Sequence, residues 1–440
     1  MGGMKACGFP VRALAPLAIF VLAAMFASPR ATGQSPGAAG TSKLESVRVT
    51  GSTRFRSEQI APVTGLSPGA TISKDDLQQG ADRLVRLGLF ATVQYRYATV
   101  ETGVRAEYQV TDAPTMPVWF DNFPWFTDDE LIAALKRDVP LFDGTAPQQG
   151  AILDDLSATL ERFLLVHGVQ ASVSHTLATT PTDNQQVQSF RAENSGLNIA
   201  GIEFSDPLAQ SDRGIQQRLP DLVGQPYSRS RVELFEFEQV RPVYISHAFL
   251  HVKFGTPVPR LTGNGANARV TIAASVESGP AYTWNDVNWR GDWAVSPADL
   301  DKLLGLKPGD PADGSKLEAA WQSARDEYAH RGYLDADLAP APQLDDAAKR
   351  VTYTVTVTEG PQYHMGQLVL TGLSMDGERR VRAAWKIPEG AVFDKSAYEN
   401  FLSAGVQQAF AGLPFHYEKI GRFLQQDPIK ATVDVMLDFQ

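Results

Sequence analysis

The residues whose types and spacing could do chemistry are few, and each sits in a context that argues against it. Gly65-Leu66-Ser67-Pro68-Gly69 spells G-x-S-x-G, a pattern that presents a nucleophilic serine when it forms a sharp strand-to-helix turn. Here it follows a helical pattern, and the corresponding segments farther along keep the glycine and lose the serine, so a turn is expected. Gly263, Gly265 and Ala268 match G-x-G-x-x-A, but they join two strands of a hairpin, with no helix N-terminus to hold a phosphate. His247 and His251 lie four apart and could share a helical face toward a metal. They fall where a helix gives way to a strand, with no third ligand near in sequence, so packing or surface roles are expected. His167, His175, His330, His364 and His416 have no ligand spacing, and the acidic pairs Asp75-Asp76, Asp128-Asp129 and Asp345-Asp346 fall at helix starts or turns. The expectation is a protein that is not an enzyme, with no catalytic, cofactor-binding or metal-binding residues and no cofactor.

The elements that would position any site are bounded by composition. The chain has 440 residues, 43% hydrophobic and 20% charged, enough apolar content for packed cores. At roughly 150 residues per domain the length suggests about three domains. Lys5 and Arg12 precede an apolar run from Ala13 to Ala27, followed by small residues at Ala31-Thr32-Gly33. That is the anatomy of a secretory signal peptide, expected over residues 1–33. A Gly-, Ala-, Ser- and Pro-rich flexible leader then covers 34–43. Loss of Lys5, Arg12 and Arg30 takes the formal charge from −10 to −13, and Cys7 leaves with them. Disulfides and thiolate sites are then excluded from the exported chain. Its acidity argues against nucleic acid as a partner. No later apolar run reaches the roughly eighteen residues of a membrane-spanning helix.

A repeat dominates the rest. Turn glycines recur at Gly69, Gly144, Gly224, Gly309 and Gly390. A second series marks helix ends followed by an apolar residue: Gly88-Leu89, Gly168-Val169, Ala248-Phe249, Gly332-Tyr333 and Gly412-Leu413. A third closes units at Pro114, Pro280 and Pro361. All three keep one register of about eighty residues, the signature of a repeat architecture. The expected units are 44–114, 115–194, 195–280, 281–361 and 362–440.

Within a unit the order reads strand, helix, helix, strand, strand. Leu44 to Thr50 alternates, and Ser73 precedes Asp76 by three residues, a capping-box start. Leu77, Ala81, Leu84 and Val85 then recur at helical spacing. Thr127 and Glu130 form a second box, and Ser296-Pro297 puts proline at a first helical position. Arg350 to Thr358 alternates β-branched residues in RVTYTVTVT. A three-stranded sheet has one face to bury, and two amphipathic helices can cover it. The fold class expected is α+β: five β-α-α-β-β modules, each a three-stranded mixed sheet under two helices, in an extended array.

This grammar, with the opening Val47-Arg48-Val49-Thr50-Gly51, the turn Leu306 to Asp310, the segment Tyr328 to Ala336 and the close Val357 to Pro361, resembles the POTRA (polypeptide-transport-associated) family. Five in tandem behind a signal peptide resemble the periplasmic part of the BamA family of outer-membrane assembly factors. The resemblance covers Leu44 to Gln440. Family members normally continue into a membrane β-barrel; this sequence ends one residue after the fifth unit's last strand, so modules without a barrel are expected.

The resemblance implies that the second strand of each module lies at a sheet edge, where an extended polypeptide can add as a further strand. Mapped onto this chain, the candidate edge positions are Val93 and Tyr95, Gln170 and Val173, Val252 and Phe254, Leu334 and Ala336, and Tyr417 and Lys419. A second candidate is apolar: Trp119, Phe123 and Trp125 crowd the start of the second unit, either as a contact surface or as packing between modules. The implied partners are unfolded outer-membrane polypeptides or assembly-machinery subunits, with an outer-membrane barrel protein a further candidate. The implied place is the periplasm, free or peripherally attached to the outer membrane. A passive envelope scaffold, or a shortened relative of a barrel-bearing factor without insertion activity, are the alternatives.

Overall fold

A computed structural model describes residues 41–263, 268–291, 293–411 and 418–440. The expected signal peptide, nearly all of the leader, Gly265, the Gly412-Leu413 marker and Tyr417 lie outside the described residues.

Five sheets repeat one topology. The opening strands are Ser42–Thr50, Thr115–Phe120, Asn198–Phe204, Thr283–Gly291 and His364–Thr371. Each pairs in parallel with its unit's closing strand, namely Gly103–Asp112, Gln186–Glu193, Arg269–Ala274, Arg350–Thr358 and Thr432–Phe439. The middle strand runs antiparallel on the closing strand's other side, so it sits at an edge. These edge strands are Phe90–Val100, Ser172–Thr179, Val258–Thr262, Asp337–Asp345 and Ile420–Asp427.

Three strands per sheet is an undercount for the first two units. Short strands Thr71–Ile72 and Thr145–Pro147, just before the second helix, add to the outer side of the opening strand and make four. In the other units a single bridge takes the same place: Asn198 to Pro226, Thr283 to Pro311 and His364 to Val392. The turn glycines explain this recurrence. Gly69, Gly224, Gly309 and Gly390 all have positive φ, between 78° and 95°, a region costly for other residues. Their N–H groups donate to Leu44, Ile199, Trp284 and Met365 of the opening strands at 2.7–2.8 Å.

The helices start where their caps direct. Ser73 with Asp76, and Thr127 with Glu130, form reciprocal capping boxes, and Ser296 caps a helix with Pro297 in its first turn. Gly65 has φ 70° and ends the short helix Ala61–Thr64, so the G-x-S-x-G segment is a turn. In the third unit the second helix runs from Arg229–Phe235 through a π-helical turn, Glu236–Val240, into Arg241–Ser246. The fifth unit repeats this with Lys395–Asn400, a π turn at Phe401–Gly405 and Val406–Ala409. His247 follows the third unit's helix and bonds by Nδ1 to the Val243 carbonyl, 2.8 Å away.

Alternation buries one face of each sheet under its helices. In Arg350–Thr358, Val351, Val355 and Val357 are buried while Thr356 and Thr358 are exposed. The cores are not one per unit. The first two units share a continuous cluster from Leu44 to Ala192, whereas the third, fourth and fifth each have their own.

Candidate polypeptide-binding edges

All five middle strands present an unpaired edge, but their chemistry differs. The first, Phe90–Val100, has no proline, and its Val93 and Tyr95 are half-buried against the core while Gln94 and Arg96 are exposed. The second, Ser172–Thr179, is partly closed. The Val173 N–H donates to Glu161 Oε1 at 2.7 Å and its side chain is buried, so this position offers no free donor. The third carries Pro259, with Pro257 just ahead of it, and the fourth Pro340 and Pro342. Residues two apart share one side of a strand, so each pair removes donors from the same side. A proline facing inward would break the ladder, so the lost donors are those of the free edge. The fifth, Ile420–Asp427, has no proline, and Phe423 and Leu424 are 59% and 41% exposed. Phe423 pairs with Met436, itself 39% exposed. The open edges are thus those of the first and fifth units.

Several expected positions fall outside strands. Gln170 precedes Ser172–Thr179, and Val252 precedes the short strand Lys253–Phe254, whose Phe254 packs on the third unit's core. The longer part of that edge begins only at Val258, after Gly255-Thr256-Pro257. Leu334 and Ala336 lie ahead of Asp337–Asp345. The chain turns there, with Ala336 N–H donating to Tyr333, and packs Ala336 on the fourth unit's core and Leu334 on the fifth's. The helix end must dock onto the next unit before the chain can extend. Lys419 sits at the root of the fifth edge, exchanging backbone bonds with Gln440. The i, i+2 prolines were the readable signal that separates closed edges from open ones.

The aromatic candidates lie at the joint between the second and third units. Phe123 is 4% exposed and belongs to the core, Trp125 packs against both neighbouring clusters, and the Arg229 guanidinium lies 5.0 Å over the Trp119 ring. They are therefore packing rather than a free contact surface. Around them, buried Asp121 accepts from Ser228 Oγ at 2.9 Å and from the Ser230 N–H at 2.8 Å, and pairs with Arg191 at 2.9 Å. Arg229 binds Asp128 in a bidentate fork at 2.7 and 2.8 Å. Beside this network, burial pushes the Glu233 carboxyl up to about 7 and the Glu236 carboxyl up to about 8. Among the described residues no group of three or more His, Cys, Asp or Glu could hold a metal ion, and no helix is long and apolar enough to cross a membrane.

Strand order, parallel opening and closing strands, and paired helices recur from unit to unit. Residues 42–113 and 282–360 match the POTRA family model, described as a surface antigen variable number repeat. The chain carries POTRA domains, and its array resembles that of the BamA family. It is 22% identical over 213 residues to the outer membrane protein assembly factor BamA of Neisseria meningitidis serogroup B, covering 46% of this chain and 26% of that protein. The crystal structure of POTRA domains 3–5 of Haemophilus influenzae BamA is 19% identical and covers 56% of this chain and 96% of its own, with a TM-score of 0.42. The N-terminal domain of Omp85 from Thermosynechococcus elongatus is 15% identical, covers 55% and 96%, and has a TM-score of 0.23. The aligned region amounts to about a quarter of the length of the curated relatives it matches, 26% and 24%.

Proposed function

We propose that the chain is a non-enzymatic, periplasmic polypeptide-binding and scaffolding array that serves outer-membrane protein assembly or transport. It acts by strand addition, in which an extended client segment pairs with a module edge and gains main-chain hydrogen bonds with little demand on its sequence. The observation that carries this reading is the repeated placement of the middle strand at an edge. Proline and Glu161 then concentrate binding on the first and fifth units, Phe90–Val100 and Ile420–Asp427. Its partners in this reading are unfolded outer-membrane polypeptides and subunits of the assembly machinery.

The test places a photo-crosslinking residue at exposed Gln94 or Gln425, and as controls at Leu261 or Ala341 on the proline-bearing edges. Adducts with outer-membrane polypeptides are expected at the first two and should be several-fold scarcer at the controls. Equal yields at all four would remove the distinction between open and closed edges. Folded protein giving no such adducts at any position would replace strand addition with a passive scaffold holding fixed partners.

A further inference from the structure

Between the second and third units lies a cavity of about 440 Å³ whose lining includes Trp119, Asp183, Glu233, Glu236, Phe237 and Arg241. Glu236 is 1% exposed and neither of its carboxyl oxygens has a hydrogen-bond partner; Glu233 is 7% exposed and its Oε2 has none. An unpaired buried carboxylate costs several kcal/mol in general, so two side by side need an explanation.

The repeat shows that this is not a requirement of the fold. Counting from the helix caps Ser228, Asp313 and Asp394, the fifth residue is Glu233, Glu318 and Glu399. In the fourth and fifth units this glutamate is on the surface and paired, Glu318 with Arg325 at 2.7 Å and Glu399 with Lys395 at 3.8 Å. The eighth residue is Glu236 in the third unit but Trp321 and Leu402 in the others, both packed in cores. Only the third unit puts two acids there, and its π turn begins at Glu236. The fifth unit has a π turn at the same place, Phe401–Gly405, without the acids.

Among the described residues no cation forms an ion pair with either carboxylate; Arg229 favours the ionised form of Glu233, but less than burial opposes it. Arg241 lies over the Phe237 ring at 5.4 Å, Arg229 is committed to Asp128, and Lys253 is exposed on the far wall. Asp183 adds a third negative charge on the cavity wall and accepts from Thr180, while Asp121 and Asp128 lie close enough to raise Glu233 further. The surroundings leave the carboxylates short of positive charge.

We propose that this cavity is a binding site for an organic cation, a guanidinium or primary ammonium group, held by the carboxylates of Glu233 and Glu236. Two carboxylates side by side suit the forked donors of a guanidinium or the three donors of an ammonium. The Trp119 and Phe237 rings also line the cavity, each with one of the chain's own arginines, Arg229 and Arg241, over one face. A divalent ion is the poorer fit, because Asp183, Glu233 and Glu236 do not converge: among the described residues no group of three or more His, Cys, Asp or Glu could hold a metal ion. The source is either a basic side chain on a polypeptide or a free polyamine, and the site works independently of strand addition at the edges.

Calorimetric titration of the full chain with N-acetyl-arginine methylamide, spermidine and Mg²⁺ tests this. At about pH 8 at least one of the two organic cations binds saturably, and the tighter of them identifies the source. Binding weakens at least tenfold in Glu236→Gln and in Glu236→Leu, the second placing in the third unit the residue that the fifth carries at this position. It also weakens at least tenfold at about pH 5.5, where protons compete. Absence of saturable binding by wild-type protein at about pH 8 overturns the proposal, as do equal affinities in the wild type and both variants. Preferential binding of Mg²⁺ overturns the assignment to an organic cation.

Discussion

At the joint between the fourth and fifth units, the Tyr363 N–H donates to the Gly332 carbonyl at 2.7 Å and its hydroxyl to Asp335 at 2.6 Å, while Leu334 packs into the fifth unit's core. The third and fourth units meet the same way, with Tyr282 donating to Ala248 at 2.9 Å and Ala248 buried in the fourth unit's core. Between the second and third units, no such bond joins Gly168 to Leu197 among the described residues. One backbone bond from the Arg229 N–H to the Asp121 carbonyl at 2.6 Å, the buried Asp121 carboxylate and the Arg229–Asp128 fork hold that place, beside the unpaired acids Glu233 and Glu236. One repeat thus makes two kinds of joint. Backbone bonds and apolar packing respond little to pH and salt, whereas a joint of partly buried charges responds to both.

Asp121→Ala is expected to have the largest effect. It removes the acceptor for Ser228, the Ser230 N–H and Arg191 together. Breaking a buried charged network from one side costs about 3 kcal/mol. Because a multi-unit chain does not unfold in one step, hydrogen exchange is the suitable measurement. Protection should fall over Ser228–Val232 while Arg350–Thr358 keeps its own. Unchanged protection at Ser228–Val232 would show that the second and third units do not depend on Asp121.

The next effect is a pH dependence confined to the same joint. Burial raises the folded carboxyls of Glu233 and Glu236 to about 7 and about 8, above the 4.5 of an ordinary glutamate. Between about pH 4.5 and 8 the folded third unit therefore holds more protons than the unfolded chain, and stability falls as pH rises through that window. The steepest slope for one group is about 1.4 kcal/mol per pH unit. Glu236→Leu should remove part of the slope, stabilising the third unit by about 2 kcal/mol near pH 8.5 and hardly at all near pH 5. Exchange protection measured at both pH values checks this, and a variant slope equal to the wild type's would mean that Glu236 is not the titrating group.

Local pattern carried much of this architecture. Alternation in RVTYTVTVT marks the strand that forms over Arg350–Thr358, and Ser73 with Asp76 and Thr127 with Glu130 mark helix starts that cap as drawn. The glycine register follows from backbone geometry, because a left-handed residue must return its N–H to the opening strand. Where expectation failed, the cause was contact between units. Leu334 and Ala336 look extended in sequence, yet the chain turns there before the strand begins, Leu334 packing on the fifth unit's core and Ala336 on its own unit's. The aromatic cluster was equally ambiguous, since Phe123 and Trp125 find their partners in a joint that only the assembled fold creates. Glu233 occupies a helix position whose equivalents, Glu318 and Glu399, are solvated and paired. Nothing local distinguishes it, because its burial depends on the second unit lying against the third.

The smallest effect expected is at the apolar joint. Tyr363→Phe removes the hydroxyl that donates to Asp335 at 2.6 Å but keeps the buried ring and the backbone bond to Gly332. The net loss should be about 1 kcal/mol, with Asp335 free to recover water. That loss should also be nearly the same at about pH 5.5 and pH 8.5, unlike the effect of Glu236→Leu. Exchange protection of His364–Thr371 at both pH values measures it. A loss that grows steeply with pH would place ionisable control at the fourth joint as well as the second. The contrast between the two kinds of joint would then be one of degree.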